Sequence, residues 1–210
     1  MDQRGGLRER KKERTRAAIS DAAIALFVEE GFDDVSITRV AEAAEVSRRT
    51  LFAYFPTKED LVVHRFADHE TESARVVRGR PEGRAPLAAL RAHFLDGLRR
   101  RDPITGLNDV PEIIALLRLV RTTRGLAARM LRFKQNGEQA LSAALRDTAG
   151  VTDPTAGLAA AQIIAVQWTL AIDNQVAIAA GTTASAAYPT ATKSAKQGFA
   201  LLADGLGGVL

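Results

Sequence analysis

The sequence predicts an all-α protein: an N-terminal three-helix unit containing a helix-turn-helix, followed by a longer C-terminal helical domain. Three observations predict it. Apolar residues recur at helical spacing in the long segments, and no stretch alternates with the period of two that marks a strand. Breakers separate those segments at Gly79–Pro86, at Asp102-Pro103, at Pro111, and over residues 150–154 and 181–189. Between Ser36 and Asp60 lies a compact pattern of two short capped helices, SITRVAEAAEVSRRTLFAYFPTKED.

Taken in order, the first helix is expected over Arg8–Glu30. Its inner stripe is Ile19, Ala22, Ala23, Leu26 and Phe27, and Gly31 ends it. Phe32 and Val35 fill the gap that follows. Ser36 is placed to cap the next helix, where Ile37, Val40, Ala41 and Ala44 follow at i, i+3, i+4 and i+7. Ala41 is small enough for a second helix to cross closely. Ala44-Glu45-Val46 makes the turn. Ser47 caps the second short helix, which opens with Arg48-Arg49-Thr50 and is held from inside by Leu51 and Phe55. Thr57 and Asp60 have capping-box spacing at the start of a helix expected to run unbroken to Arg78. Further helices are expected over Leu87–Arg100, Val110–Leu119, Thr123–Thr148, Pro154–Ala180 and Ala187–Ala203.

Exposed Arg-Arg-Thr at the start of a short helix has a physical use. In a DNA major groove, Arg bonds bidentately to guanine O6 and N7, while Thr meets a thymine methyl or a phosphate. The candidate DNA-contacting residues are Ser36, Thr38, Ser47, Arg48, Arg49, Thr50, Phe52, Tyr54 and Lys58. Lys58 stands beside free helix N–H groups, where a phosphate oxygen is favoured. The chain carries a formal net charge of +4, and residues 1–16 alone hold seven Arg and Lys against three Asp and Glu. That arm reads either as a tracker of phosphates or the minor groove, or as a solubilising tail.

Residues 14–62 resemble the DNA-binding domain of TetR/AcrR-type bacterial transcriptional regulators. The resemblance is carried by TRAAISDAAIALFVEEGF, by Ser36-Ile37, and by Val46-Ser47-x-x-Thr50-Leu51-Phe52-x-Tyr54-Phe55-Pro56-x-Lys58-Glu59-Asp60-Leu61. It implies an all-helical homodimer, a C-terminal domain that holds a small molecule, and repression of a palindromic operator relieved by that ligand. The chain departs from the family pattern twice. Glu45 stands where the family usually has Gly, which puts a side chain at a turn position suited to positive φ. Phe52 stands where the family often has Tyr, which removes one hydroxyl donor.

The division expected is 1–62 for the arm and helix-turn-helix, and 63–210 for the effector-binding and dimerisation domain. The segment Pro154–Ala180 is rich in Ala, Ile and Val nearly all round, so it needs cover on most sides. With the final helix it reads as half of an intermolecular four-helix bundle about a two-fold axis; an intramolecular core is the alternative. Gln162 and Gln167 interrupt its apolar tract, around Leu158–Ile172, and Asp173-Asn174 follow it, which argues against a membrane span. Cysteine is absent, which excludes disulfides and thiolate sites, and the N-terminus has no apolar stretch of the kind a secretory signal needs. A cytoplasmic location is the expectation.

His64 and Asp68 lie four apart, but no third metal ligand accompanies them. No phosphate loop, nucleophile elbow or dinucleotide fingerprint occurs, so neither a catalytic site nor a cofactor is expected. Candidates to line an effector cavity are His93, Phe94, Met130, Phe133 and Trp168, with Asn108, Gln167 and Asn174 as orienting polar groups. Arg118, Arg121, Arg124, Arg129 and Arg132 form either a solvated face or an anion-binding wall. Two other functions compete with a ligand-released repressor. One is a ligand-independent regulator or activator, and the other is a helical carrier or enzyme with a relic helix-turn-helix.

Overall fold

The computed structural model describes residues 3–205, with side chains from Arg10 onward, so Arg4 and Arg8 of the arm lie outside the described side chains. Every regular element among these residues is helical. In order they are α1 (Gln3–Glu30), α2 (Ile37–Ala43), α3 (Arg48–Tyr54), α4 (Asp60–Val63), α5 (Ala67–Glu70), α6 (Glu72–Arg78), α7 (Pro86–Arg100), α8 (Pro111–Thr122), α9 (Arg124–Ala149), α10 (Asp153–Ala179) and α11 (Ala184–Asp204). Short 3-10 turns occupy His64–Phe66 and Pro103–Thr105. The chain forms two compact units: residues up to Ala67 with Ala115–Met130, and Asp68–Ile114 with Leu131 onward.

The first unit is built on α1. Its Ile19, Ala23 and Phe27 are fully buried, with Val40, Ala41, Leu51, Phe55, Leu61 and Val62 packed in the same core. Leu116, Val120 and Leu126, from the later segment of this unit, are buried as well. The Ser20 hydroxyl is also buried, and it donates to the Leu61 carbonyl at 2.6 Å, so α1 and α4 share a satisfied polar bond within an apolar contact. Ser36 Oγ accepts the Arg39 N–H at 3.2 Å, and Ser47 Oγ accepts the Thr50 N–H at 3.0 Å. Between these caps the turn closes through Val46 N–H to the Ala41 carbonyl at 2.9 Å, with Glu45 at φ 53°. Glu45 therefore bears the left-handed conformation that glycine would adopt freely.

Three expected helices differ from those observed. The Thr57–Arg78 helix is interrupted by the 3-10 turn His64–Phe66 and again at Thr71, where φ is −107° and ψ 13°. Between Phe66 and Ala74, both buried, the chain reads Ala-Asp-His-Glu-Thr-Glu-Ser, with no continuous apolar stripe to hold it straight. The Asp68 carbonyl instead accepts the Arg75 guanidinium. The final helix starts at Ala184 and contains Pro189. Two caps outweigh the missing proline donor: Thr183 Oγ1 accepts the Ala186 N–H at 3.2 Å, and Asp109 Oδ2 accepts the Ala184 N–H at 2.8 Å. The first helix begins at Gln3, so the backbone of the basic arm is helical from there.

In the second unit, α10 and α11 pack closely. Ala184, Ala187, Ala191, Ala195 and Phe199 form the inner stripe of α11, and an added Cβ at Gly198 would lie 2.9 Å from Val166 Cγ1. The turn at Gly106 approaches α10 so tightly that a Cβ there would fall 1.9 Å from the Ala171 carbonyl oxygen. Asn174 fixes this approach by donating to the Thr105 carbonyl at 2.8 Å. By length and composition, α10 alone among the described helices could cross a membrane. Its inner face is buried against this unit, while Leu158, Ile172 and Val176 stay exposed at 66, 43 and 48 %.

The backbone at Glu45 yields the first prediction. Replacing Glu45 with Gly removes a left-handed strain of about 1 kcal/mol, partly offset by the freer unfolded chain. Urea unfolding should show a net stabilisation of several tenths of a kcal/mol, with no change in slope.

Candidate nucleic-acid interface

The exposed tip of the first unit is α3. Its buried side holds Leu51, and Phe55 at its C-terminal end is buried too. Its outer side presents Arg48 and Arg49, and no carboxylate among the described residues pairs with either. Phe52 is exposed at 44 %. Thr50 is half-buried, and its hydroxyl shares a 2.8 Å hydrogen bond with Ser47 Oγ. Tyr54 is half-buried at the far end of the helix. Ser36 and Thr38 are exposed at the start of α2. The structure thus brings Ser47, Arg48, Arg49, Thr50 and Phe52 together on one short capped helix.

Lys58 is placed differently from its sequence-based expectation. Its ammonium donates to the Phe32 carbonyl and lies 4.6 Å from the Phe32 ring centroid and 5.2 Å from that of Phe27. The side chain fastens the loop after α3 onto the end of α1 instead of standing out with Arg48 and Arg49. The Thr57–Asp60 capping box does form: Thr57 N–H donates to Asp60 Oδ2 at 3.1 Å, and Asp60 N–H to Thr57 Oγ1 at 3.2 Å.

The candidates for an effector cavity separate into different roles. Asn108 donates to the Arg101 carbonyl at 2.7 Å and accepts the Val110 N–H at 3.0 Å, so both ends of its amide fasten a loop. Asn174 is likewise occupied with Thr105. Phe94 is core, its ring 6.0 Å from that of Phe199, and Phe133 is buried. Met130 belongs to the first unit, and Trp168 packs partly buried against the core of the second.

His93 and Gln167 meet polar partners that sequence reading missed. Gln167 Oε1 accepts the Ser73 hydroxyl at 3.1 Å. His93 Nε2 lies 3.0 Å from Glu72 Oε1, and His69 Nδ1 lies 2.9 Å from Glu72 Oε2. The His69-x-x-Glu72 spacing was the available local signal. His93 stands 21 residues away and gave none.

Two short capped helices joined by a tight turn in the first unit, together with a helical second unit, define a helix-turn-helix protein of two-unit helical architecture. The sequence model described as "Bacterial regulatory proteins, tetR family" matches residues 19–64. The chain is 33 % identical over 147 residues to the HTH-type transcriptional regulator TcmR of Streptomyces glaucescens, covering 70 % of this chain and 65 % of that protein. The match therefore spans somewhat less than two thirds of that relative's length. In fold it is similar to Salmonella enterica GusR, with TM-score 0.58 and 20 % identity over 91 % of this chain and 94 % of that one. A SmeT–triclosan complex aligns with TM-score 0.57 and 16 % identity, over 93 % of this chain and 91 % of that one. Residues 19–64 thus belong to the tetR family of bacterial regulatory proteins.

The histidine clamp makes stability depend on pH. Burial alone would raise the Glu72 carboxyl, but hydrogen bonds from His69 and His93 outweigh it and hold that group at about 2, below the ordinary 4.5. His69 is pushed above 6.5, first by its bond to Glu72. The Glu72 contribution is present above pH 4.5 and lost as pH falls through about 2. That of His69 is complete below pH 6.5 and lost as pH rises through its elevated value. In thermal melts, the deficit of Glu72→Gln relative to the parent should be largest between those two ordinary values, pH 4.5 and 6.5, and should shrink as pH rises through the elevated His69 value.

Proposed function

We propose that the protein is a DNA-binding transcriptional regulator that represses from a palindromic operator and releases it when a small molecule binds the second unit. The observation that carries this reading is the tip of α3, where Arg48 and Arg49 project unpaired from a helix held by the Ser47 cap. Such a helix fits a major groove, its N-terminal residues against base edges. The partners are double-stranded operator DNA, an effector and a second copy of the chain.

The exposed stripe Leu158, Ile172 and Val176 on α10 supports pairing through the last two helices, because a second copy would cover apolar side chains now facing water. A two-fold dimer sets its reading helices at a fixed separation, roughly 34–36 Å, to meet successive major grooves. Release need only spoil that separation. The interrupted α4–α6 segment is no rigid lever, so the ligand acts on this reading by shifting the balance between dimer geometries. His93, Gln167, Trp168 and Phe133 are the side chains of the second unit proposed to lie nearest the effector. As a regulator the protein needs neither cofactor nor catalytic group.

The DNA reading is tested by selecting bound duplexes from a random pool with the full chain; a two-fold symmetric sequence should emerge. Arg49→Ala should then relax base preference at one position of each half-site, at a cost of about 1–3 kcal/mol. Lys58→Met should leave base preference intact and lower stability by about 1–3 kcal/mol, because it strips the Phe32 carbonyl of its donor. A pool that yields no preferred sequence would defeat the reading.

Ligand release is tested with whatever small molecule co-purifies from cell extract, identified by mass spectrometry. Linkage requires that the selected duplex weaken binding of that molecule by the same factor by which the molecule weakens DNA, typically ~5–150-fold. Emission from Trp168, the chain's single tryptophan, provides the titration signal. Equal ligand affinity with and without duplex would leave a regulator that does not respond to it.

A further inference from the structure

Resting on the DNA-binding reading above, we infer that Arg129 is a positioning residue for DNA recognition: by gripping Asp60 it holds closed the loop that follows the recognition helix.

The Arg129 guanidinium donates to Asp60 Oδ1, and the two side chains are only 33 and 20 % exposed. The other oxygen of the same carboxylate, Oδ2, receives the Thr57 N–H at 3.1 Å. One carboxylate therefore joins α9 to the loop between α3 and α4. The contact has a neighbour: a Cβ added at Gly125, in the first turn of α9, would lie 3.0 Å from Glu59 Oε1. Two consecutive residues, Glu59 and Asp60, are thus met by two successive turns of one helix. All of these groups belong to the first unit.

The loop is short and its far end is α3 itself. Phe55 closes α3 through its N–H to the Leu51 carbonyl at 2.9 Å. Its ring packs 5.4 Å from the Arg16 guanidinium and 5.5 Å from the His64 ring centroid. Residues 56–59 separate this anchor from Asp60. If Arg129 is removed, a partly buried carboxylate loses its counter-charge and turns towards water, and Thr57 N–H loses its acceptor. The C-terminal end of α3 then keeps its Phe55 anchor but loses the brace behind it. Arg129 suits the role because it stands on an uninterrupted helix, Arg124–Ala149, instead of a loop. Of the arginine run, it is the member whose charge is turned inward; Arg118, Arg121 and Arg124 are exposed.

The test uses the full chain, the duplex selected by the parent protein, and an unrelated duplex of equal length. Arg129→Gln should weaken the selected duplex by roughly tenfold and leave the unrelated one unchanged. Arg129→Lys, which returns a positive charge within reach of Asp60, should recover most of the loss. Asp60→Asn should cost as much as Arg129→Gln, and the double variant no more than either alone.

A pH series adds a readout that a merely structural residue would not move. Burial would raise the Asp60 carboxyl, but the bonds from Arg129 and Thr57 outweigh it and hold it below the usual range. In the parent, specific affinity should therefore fall as acidification protonates Asp60, whereas in Arg129→Gln that acid-dependent loss should be absent, because neutralising Asp60 then costs nothing more. Parent-like affinity and pH profile in Arg129→Gln would overturn the inference. So would a fall in melting temperature that weakens both duplexes alike. If the parent itself selects no sequence, the DNA reading fails before any variant is made, and this inference falls with it.

Discussion

Helix α3 is seven residues long, and a helix that short cannot hold itself in water. Several contacts of the first unit supply what α3 lacks. Ser47 satisfies one of its free N–H groups, the turn at Glu45 fixes its entry from α2, and Leu51 and Phe55 hold it to the core. Behind it, the buried hydroxyl of Ser20 joins α1 to α4 through the Leu61 carbonyl. The orientation of the exposed arginines is thus a property of the packing underneath them. A left-handed glutamate is tolerated in the turn because these contacts over-determine the conformation.

What the sequence made legible was local. The caps at Ser36 and Ser47 and the Thr57–Asp60 box each depend on residues three apart, and each is found where the pattern places it. Helix type followed from apolar spacing throughout. What stayed hidden depends on partners far along the chain. Lys58 finds its carbonyl 26 residues upstream, Asp60 its arginine 69 residues downstream, and the N-terminus of α11 its acceptor 75 residues back at Asp109. Pro189 looked like a breaker because nothing nearby announced that second cap. The polar stretch between Phe66 and Ala74 did carry a warning against one long helix, in its missing apolar stripe.

The second unit shows why polar residues in a helical core are ambiguous. Asn108 and Asn174 have the composition of ligand-orienting groups, yet each amide is occupied with a backbone group of its own unit. Such bonds are what allow irregular chain, here Gly106–Asn108, to be buried at all. Glu72 solves a related problem by a different route: its charge is kept by two imidazoles, one from its own chain segment and one from α7. Residues that look like recognition groups are here recruited to hold the chain, and only Gln167 and His93 share their polar atoms with another side chain.

The same division governs the cations of the first unit. Arg16 lies over Phe55, Lys58 over Phe27 and Phe32, Arg129 against Asp60, and Arg39 against Glu30 at 3.0 Å. Each of these charges is compensated by a π face or a carboxylate, and each ties down an element that supports α3 or its neighbours. Arg48 and Arg49 have no such partner among the described residues. A unit arranged in this way does not present DNA with a uniformly basic surface, which would attract any duplex through its phosphates. It leaves Arg48 and Arg49 uncompensated at the start of α3, and uses Arg16, Arg39, Lys58 and Arg129 as fasteners for the elements around that helix. On the DNA-binding reading, discrimination then arises from placement more than from total charge, because a misplaced guanidinium still attracts phosphate but no longer matches guanine.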